Sequence, residues 1–266
     1  MEISVIIPVY NSSETLKKCF DSVYKCLNEH FAEFEVILID DGSVDDSFAI
    51  MKALKQMFPD EVIIIQQSNL GAAAARNAGL DICKGMLVGF NDSDDVWLLE
   101  GLTARLHVLK HNQQVDCVAA NHDKEKQKFP FLKAVSSDLF KISFNSAMFK
   151  CYFAPPTVLM RRSVIDAGYR FNPELTHAEE GHFFNHVVSN FECIFLNKMA
   201  SQSITQKYRF GDGGLSGNLI AMHQGELSNL RNAYDCLHHN LVLFYLSVIF
   251  SYLKYFRRIL IVRLRK

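Results

Sequence analysis

Short apolar runs alternate with longer amphipathic stretches over the first half of the chain. The apolar runs predict strands at Ile3–Val9, Val36–Asp40, Val62–Gln66 and Met86–Phe90. The amphipathic stretches predict helices near residues 13–30, 44–57, 72–84 and 98–111. Strands and helices that alternate in this way are typical of βα units, so the pattern predicts an α/β fold with a mostly parallel sheet.

The first predicted helix has the clearest pattern. Leu16, Phe20 and Val23 recur at helical spacing, and Asn11 is placed to cap the helix, with Glu14 at its third position. Later in the chain, further strands are predicted at residues 115–119, 157–161 and 193–196, and a further helix at residues 180–190.

Polar residues collect where three of the predicted strands end. The first strand ends in Pro8-Val9-Tyr10-Asn11, the second in Asp40-Asp41-Gly42-Ser43 and the fourth in Asn91-Asp92-Ser93-Asp94-Asp95. Ligands of open α/β sheets bind beyond the carboxyl ends of the strands. The three loops are therefore predicted to converge on one crevice.

Asp92 and Asp94 lie two residues apart after the fourth strand. In an extended segment this spacing places both carboxylates on the same side, about 7 Å apart along the chain. Two such groups suit a hard divalent cation that also binds the oxygens of a diphosphate. The alternative is a turn, or a cap for the helix predicted to start near Trp97.

Asp41 follows the second strand in a run of turn-forming residues. A carboxylate at this place can accept hydrogen bonds from a nucleobase imide or from ribose hydroxyls, and the alternative is a simple turn into the next helix. An aspartyl phosphatase site is excluded, because its signature requires an aspartate two residues before Asp41, where Ile39 stands.

Small residues open the third helix, from Gly71 to Gly79, and permit the close approach of a ligand. Arg76 lies one to two turns inside this helix. The alternative is an alanine-rich packing helix with an arginine on its surface. A dinucleotide-binding site is excluded, because no GxGxxG sequence follows the first strand.

The composition is that of a folded domain with a large core. Of the 266 residues, 49% are hydrophobic and 21% are charged. The seven cysteines are odd in number and form no CxxC pair, so they indicate neither a disulfide framework nor a zinc site. The amino-terminal sequence lacks the basic segment and the cleavage site of a signal peptide, so the catalytic part is expected to stay inside the cell.

Positive charge is concentrated at the end of the chain. The net charge is −1, and the six cations of residues 254–266 leave −7 for residues 1–253. A basic patch on a mildly acidic body argues against nucleic acid as a partner and favours a locally docked tail.

The tail has the pattern of a helix that binds a membrane surface. Residues 241–253 are apolar apart from two serines, and they are too short to span about 30 Å of hydrocarbon without the charged residues that follow. In a helix over residues 254–266, one side carries Lys254, Arg257, Arg258 and Arg265, and roughly opposite lie Tyr255, Phe256 and Ile259. The alternative is a helix packed on the domain or on another subunit.

The order and spacing of the loop motifs resemble a known family. VIIPVYN at 5–11, DDGS at 40–43, GAAAARNAG at 71–79 and NDSDD at 91–95 resemble glycosyltransferase family 2, and TVLMRRSVIDAGYRF at 157–171 with HAEE at 177–180 continues the resemblance. The resemblance implies a GT-A fold over residues 1–219, in which a Rossmann-like nucleotide-sugar-binding sheet has helices on both faces. A C-terminal helical region with a basic tail would follow over residues 220–266.

The resemblance also implies roles for particular residues. Those for the donor are Pro8, Tyr10, Asn11 and Glu14 around the nucleoside, Asp41 at the base, Arg76 at the base or the phosphates, and Asp92 at the ribose or the sugar. Asp94, with Asp92, would hold the metal that bridges the diphosphate. Glu180 corresponds to the catalytic carboxylate on the acceptor side, which is usually an aspartate in the family, and Glu179 is the other candidate within the pair.

A loop at residues 208–216 resembles a lid over the donor. Arg209 is expected to contact phosphate, and Gly211 stands where relatives often carry a histidine. The alternative is an ordinary surface loop. His177 and His182 flank the glutamate pair without metal-ligand spacing and are interpreted as acceptor-pocket or surface residues.

These features predict a metal-dependent inverting glycosyltransferase that uses Mn²⁺ or Mg²⁺. The expected donor is a nucleotide diphosphate sugar of uridine, and the expected acceptor is a hydroxyl of a glycan or lipid-linked glycan. The resemblance and the tail indicate bacterial lipopolysaccharide, capsule or O-antigen synthesis at the inner face of the cytoplasmic membrane, and they leave a homo-oligomer open. The alternatives are a nucleotidyltransferase, which usually needs a glycine-rich basic phosphate loop that VIIPVYN does not offer, and a non-catalytic nucleotide-sugar-binding protein.

Overall fold

One mixed sheet with helices on both faces forms the body of the protein. The computed structural model describes residues 1–123, 131–205, 217–236 and 240–265. In these residues the strands are β1 (Ile3–Val9), β2 (Phe34–Asp41), β3 (Val62–Gln67), β4 (Leu87–Phe90), β5 (Asp95–Trp97), β6 (Cys117–His122), β7 (Lys133–Ala134), β8 (Leu139–Ile142), β9 (Leu159–Arg161) and β10 (Cys193–Ser203). The α-helices are α1 (Leu16–His30), α2 (Ser47–Met57), α3 (Ala72–Ile82), α4 (Leu99–His111), α5 (Phe144–Phe149), α6 (Arg162–Asp166), α7 (Glu179–Asn190), α8 (Leu219–Cys236) and α9 (Leu241–Arg265).

The sheet has a parallel half and a mixed half. Across the described ranges the strands run in the order β3-β2-β1-β4-β9-β6-β10-β8-β7, and β5 pairs with β10. The first four are parallel, whereas β9 lies antiparallel between β4 and β6. The carboxyl ends of β1, β2, β4 and β6 therefore lie at the same edge of the sheet.

Alternate side chains of the central strands pack into two apolar layers. Ile6 of β1 packs in one layer with Leu80 of α3 and Phe183 of α7, while Val5 and Ile7 pack in the other layer with α1. Neighbouring residues of a strand point to opposite faces, so a strand buried on both faces needs a nearly unbroken apolar run. The sequence ISVIIPV supplies one.

The predicted parallel strands and their helices are confirmed. β1 has the predicted bounds, and the other elements up to α4 differ from the prediction by one to three residues at their ends, apart from β5. The helix expected near Trp97 begins at Leu99, because Asp95–Trp97 forms β5. The strands predicted in the second half of the chain are confirmed as β6, β9 and β10, and the helix predicted there is confirmed as α7.

The prediction that Asn11 caps α1 is wrong. The helix begins at Leu16, and Thr15 is the residue that precedes it. Asn11 has a left-handed backbone with a φ of 47° and lies in the loop after β1. Glu14 therefore lies before the helix and not in its first turn.

α8 and α9 pack against each other as an antiparallel pair. Glu226 of α8 lies 3.1 Å from Lys254 Nζ and 2.6 Å from Arg258 Nη2 of α9. Tyr255 stacks on His223 of α8, with the ring centroids 4.5 Å apart. The expectation that Lys254 and Arg258 lie opposite Tyr255 is wrong, since all three contact α8.

The side of α9 that faces away from α8 is apolar and exposed. Its large exposed side chains are Val242, Tyr245, Leu246, Ile249, Leu253, Phe256, Leu260 and Leu264. The helices of the described ranges include none that is both long enough and apolar enough to cross a membrane. The division of the chain between residues 219 and 220 stays a prediction, and α8 also contacts the turn before α7.

Candidate active site

The loops after β1, β2 and β4 are tied together at the carboxyl edge of the sheet. Asn11 Oδ1 accepts a hydrogen bond from the Val44 N–H at 2.9 Å, and the Asn11 N–H donates to Ser43 Oγ at 3.1 Å. The hydroxyls of Ser12 and Ser93 lie 2.7 Å apart and connect the first loop to the loop after β4. The three loops predicted to converge therefore meet at one crevice.

Asp41 organises the segment that leads into α3. Its Oδ1 accepts hydrogen bonds from Gln67 Nε2 at 2.7 Å and from the Leu70 N–H at 2.8 Å, and its Oδ2 accepts one from the Gly71 N–H at 2.9 Å. Gly71 has a φ of 89°, which favours glycine. Each carboxylate oxygen offers two lone pairs, so Asp41 can hold this segment and still accept a hydrogen bond from a ligand.

The loop after β1 presents an aromatic ring beside this carboxylate-bearing loop. Tyr10 is 49% exposed. Glu14 is exposed and Pro8 is partly buried. An exposed phenol ring offers a flat apolar face on which a nucleobase can stack. The roles of these residues around a nucleoside stay predictions.

Arg76 joins the loop after β4 to the start of α7. Its Nη2 donates to Asp92 Oδ1 and its Nη1 donates to Glu179 Oε1, both at 2.8 Å. The side chains of Arg76 and Glu179 are 6% and 7% exposed, so the ion pair is buried. Breaking a buried pair by removing one partner costs about 3 to 5 kcal/mol. Arg76 thus holds two of the predicted site carboxylates, and its contact with a base or a phosphate stays a prediction.

The two glutamates at the start of α7 lie in different environments. Glu179 is paired with Arg76. Burial and the negative charge of Glu179 raise the pKa of the Glu180 carboxyl to about 8. A carboxylate of raised pKa takes up a proton more readily than an ordinary glutamate, which is the property required of a general base near neutral pH.

α8 supports the turn that precedes this pair. Ala178 has a left-handed φ of 58°, a conformation that costs an alanine about 1 kcal/mol or more. Its carbonyl accepts a hydrogen bond from Asn229 Nδ2 of α8 at 2.8 Å. Gly225 of α8 lies so close to the His177 carbonyl that a Cβ atom would overlap with it. The contacts with α8 thus fix the direction in which α7 begins.

Asp92 and Asp94 are the candidate metal ligands. Asp94 is partly buried, and its carbonyl accepts a hydrogen bond from the Ile204 N–H at 2.8 Å. Mg²⁺ and similar cations bind one or two protein carboxylates and complete their coordination with water and substrate phosphates, so these two side chains fit such a cation. In the described part of the chain, no group of three or more His, Cys, Asp or Glu side chains is placed to hold a metal ion.

A cavity of about 170 Å³ lies between the amino end of α3 and the turn before α7. Gly71, Ala73, Leu175 and Glu179 line it, so it borders the candidate site. A larger cavity, of about 770 Å³, lies near Met1 and Met86. These two residues mark the amino ends of β1 and β4, whereas ligands of such sheets bind at the carboxyl ends. The smaller cavity is therefore the better candidate for a ligand site.

The sequence pattern does not indicate several residues of the site. Ser12, Ser93 and Asn229 act through contacts that only the fold brings together. His122 lies at the end of β6, and a strand prediction extended by three residues beyond Ala119 would have placed it at the crevice edge. Arg209 and Gly211 lie outside the described residues.

The two predicted flanking histidines lie beside the glutamate pair. His177 Nδ1 lies 2.9 Å from the Thr176 hydroxyl. His182 lies on α7 next to His186, with the ring centroids 5.0 Å apart. Their assignment to an acceptor pocket stays a prediction.

The mixed sheet with helices on both faces is that of the GT-A fold, as predicted. The sequence model of Glycosyl transferase family 2 matches residues 4–169. The chain belongs to this family.

Curated relatives carry glycosyltransferase names. The chain is 31% identical over 163 residues to the UDP-Glc:alpha-D-GlcNAc-diphosphoundecaprenol beta-1,3-glucosyltransferase WfaP of Escherichia coli, and the match covers 60% of this chain and 61% of WfaP. It is 30% identical over 181 residues to an uncharacterized glycosyltransferase of a Nostoc strain, with 65% of this chain and 55% of that one covered. The chain thus spans less than two thirds of the length of either relative.

Solved structures share the fold. The structure of TarS residues 1–349 from S. aureus in complex with UDP-GlcNAc is similar with a TM-score of 0.70 at 19% identity, and 93% of this chain and 70% of that one are covered. The mannosyltransferase PcManGT from Pyrobaculum calidifontis, in complex with GDP-Man and Mn²⁺, gives a TM-score of 0.68 at 16% identity, with 94% and 69% covered. At these identities the likeness shows the fold alone.

Proposed function

We propose that this glycosyltransferase moves a sugar from a UDP-sugar to a hydroxyl of a glycan or lipid-linked glycan, with inversion at the anomeric carbon. The observation that carries the proposal is the bridge through Arg76. It joins the acidic loop at Asp92 to the glutamate pair at Glu179, so a donor diphosphate and an acceptor hydroxyl can meet in one crevice. The relative WfaP is named for a UDP-Glc donor and a diphosphoundecaprenol-linked acceptor, which supports the two substrate classes.

Glu180 is the proposed general base. Its carboxylate accepts the proton of the acceptor hydroxyl while the hydroxyl oxygen attacks the anomeric carbon. The bond from that carbon to the diphosphate oxygen breaks, and its electron pair leaves with the nucleoside diphosphate. Attack opposite the leaving group inverts the configuration. Glu179, which is paired with Arg76, positions the arginine and takes no proton.

Asp94 and Asp92 are the proposed ligands of Mn²⁺ or Mg²⁺. When bound, the cation stabilises the charge that develops on the leaving diphosphate. The Mn²⁺ in the PcManGT complex supports a divalent metal in a protein of this fold. Arg76 keeps Asp92 in place and adds a second positive charge at this end of the crevice.

Thermal unfolding with UDP-, GDP- and dTDP-sugars, each with and without Mn²⁺, tests the donor. We expect a UDP-sugar with Mn²⁺ to raise Tm most. A ligand that binds the folded protein at about 100 times its Kd adds about 2.7 kcal/mol to the free energy of unfolding, so at equal concentration the donor with the lowest Kd gives the largest rise. A larger effect of a GDP-sugar would overturn the uridine assignment. Transfer of the sugar to an acceptor then separates a transferase from a nucleotidyltransferase and from a non-catalytic binding protein.

Replacing Asp41 with alanine is expected to weaken UDP affinity at least about tenfold, a loss of about 1.4 kcal/mol. The loss should be equal with and without Mn²⁺, because Asp41 holds the segment beside the nucleoside and not the phosphates. Titration calorimetry measures both affinities. Asp60→Ala is the matched control, since Asp60 is exposed and lies away from the crevice in the turn before β3. A loss seen only with Mn²⁺ would contradict a role for Asp41 at the base.

We further propose that α9 holds the protein on the inner face of the cytoplasmic membrane, where lipopolysaccharide, capsule or O-antigen intermediates are made. Lys254 and Arg258 are paired with Glu226, so the proposed lipid-binding face is the apolar side of the helix together with the exposed Arg257 and Arg263. The chain has no acidic residue from 236 to 266. An anionic leaflet therefore complements this face better than a second copy of the same basic helix.

Replacing Leu253 and Phe256 together with glutamate should lower binding to anionic vesicles at least about tenfold, because each side chain gives up about 1.5 to 3 kcal/mol of apolar burial. Both side chains are exposed, at 60% and 57%, so the fold should be retained. Vesicle co-sedimentation measures binding, and Met57→Glu on α2 is the control for an exposed apolar residue elsewhere. Unchanged sedimentation would discard the membrane proposal. If the double variant instead loses a dimer that the wild type forms, as seen by analytical ultracentrifugation, this face is a subunit interface.

A further inference from the structure

His122 lies beside the acidic loop and contacts two carboxylates. As the last residue of β6, it is at the carboxyl edge of the sheet. Its Nε2 lies 3.0 Å from Asp95 Oδ2, and its Nδ1 lies 3.1 Å from Asp123 Oδ2. Asp95 directly follows Asp94, and its side chain is only 7% exposed. The imidazole thus connects the end of β6 to the loop that carries the candidate metal ligands.

Both ring nitrogens face carboxylate oxygens, which accept hydrogen bonds and do not donate them when ionised. A neutral imidazole has one N–H, so only the imidazolium donates at both positions. Burial lowers the pKa of His122, but the hydrogen bond and the charge of Asp95, with the charge of Asp123, more than offset this effect and raise it. The imidazolium form of His122 can therefore donate one N–H to Asp95 and the other to Asp123.

The backbone around this contact is held on the other side by β10. The Ile204 N–H donates to the Asp94 carbonyl at 2.8 Å, and the Ser203 N–H donates to Asp123 Oδ1 at 3.0 Å. Asp95 pairs with Ser203 as part of the short antiparallel ladder between β5 and β10. The Ile204 bond and this ladder hold the main chain of the acidic loop. The Ser203 bond holds the side chain of Asp123, and His122 holds the side chain of Asp95.

We propose that His122 is a positioning residue for the metal and diphosphate end of the site. Its contacts with Asp95 and Asp123 keep the loop in the arrangement that turns Asp92 and Asp94 towards the donor. It does not touch the donor itself. The inference rests on the proposed function in one respect, the assignment of Asp92 and Asp94 as metal ligands.

The test is Mn²⁺ binding by the full chain in the presence of UDP, followed by the electron paramagnetic resonance of free Mn²⁺. Glutamine at position 122 can donate to one carboxylate but presents a carbonyl oxygen to the other. His122→Gln is expected to raise the half-saturating Mn²⁺ concentration about tenfold or more, as outer-shell substitutions at metal sites do. UDP affinity without metal should not change. His111→Gln, at an exposed position on α4, is the control and should bind Mn²⁺ like the wild type.

A double-mutant cycle shows whether His122 acts through Asp95. Asp95→Asn combined with His122→Gln should cost little more Mn²⁺ affinity than the larger single effect, since either change removes the same contact. Additive effects would overturn the proposal.

High Mn²⁺ should restore most of the kcat of His122→Gln, and a kcat that stays low at saturating metal would also overturn the proposal. If His122→Gln does not fold, Asp123→Asn removes one of the two carboxylate contacts and should shift Mn²⁺ binding in the same direction.

Failure of the inference can be told from failure of the proposed function. Wild-type protein that binds UDP without any response to Mn²⁺ would overturn the metal site itself. A wild type that responds to Mn²⁺, with His122→Gln giving the same half-saturating concentration, would overturn only the role of His122.

Discussion

Glu180→Gln should lower sugar transfer by about 100-fold or more while donor affinity stays close to that of the wild type. Glutamine keeps the size of the side chain but cannot accept the proton of the acceptor hydroxyl. Steady-state transfer and UDP-sugar titration measure the two quantities separately. The raised pKa of Glu180 favours proton uptake by this carboxylate, whereas Glu179 is held in a buried ion pair with Arg76.

Glu179→Gln is the matched control for this prediction. The amide keeps one oxygen to accept from Arg76, so a smaller loss of transfer is expected, together with a loss of stability from the weakened ion pair. If Glu179→Gln abolishes transfer while Glu180→Gln retains near-normal turnover, the base is misassigned by one residue. If both variants retain turnover, the catalytic carboxylate lies elsewhere.

Glu180→Gln should also change how the free energy of unfolding depends on pH. The pKa of Glu180 is raised from an ordinary value of 4.5 to about 8 in the folded protein, so the folded state binds this proton more tightly than the unfolded chain does. The free energy of unfolding therefore falls as the pH rises through that interval. Glu180→Gln removes the effect, and its Tm relative to the wild type should be higher at pH 8 than at pH 4. A Tm difference that does not depend on pH would contradict a raised pKa.

Asp94→Ala should abolish the Mn²⁺ dependence of donor binding and lower transfer by about 100-fold or more. The physical reason is that Asp94 is the proposed metal ligand, and a cation held there would contribute several kcal/mol of charge stabilisation in the transition state. UDP-sugar titration with and without Mn²⁺ measures the effect on binding. Equal Mn²⁺ dependence in wild type and variant would refute the assignment of Asp94.

Asp92→Ala should differ from Asp94→Ala in a diagnostic way. It removes a candidate metal ligand and also leaves Arg76 with one carboxylate partner in place of two. UDP binding without metal is therefore expected to weaken as well, and Tm should fall. Asp60→Ala, at an exposed position, should leave metal dependence, transfer and Tm unchanged.

The sequence was sufficient to predict the parallel half of the sheet. β1 and β2 are buried on both faces, and a nearly unbroken apolar run meets that requirement, so the local pattern carries the assignment. β5 could not be predicted in this way. It has three residues and depends on pairing with the distant end of β10. His122 could not be predicted for a similar reason, because it is the last residue of β6, a strand whose length depends on pairing with neighbouring strands.

The candidate site was predictable as a set of loops but not as a network of contacts. Motif positions placed Asp41, Asp92 and Asp94 at strand ends, and the structure has them there. The partner of Arg76 in α7 is 103 residues away, and no local pattern indicates such a pairing. The orientation of α9 depended on Glu226 of α8, which decides which cations face inward.

The double contact of α8 bears on how C-terminal parts can be exchanged between relatives. A chimera joined between residues 219 and 220 would bring a foreign helix under the turn at Ala178, without Gly225 and without the Asn229 hydrogen bond. A junction placed between α8 and α9 keeps both. We therefore expect the turn before Glu179 and Glu180 to keep its support in a chimera joined after α8 and to lose it in one joined at residue 219.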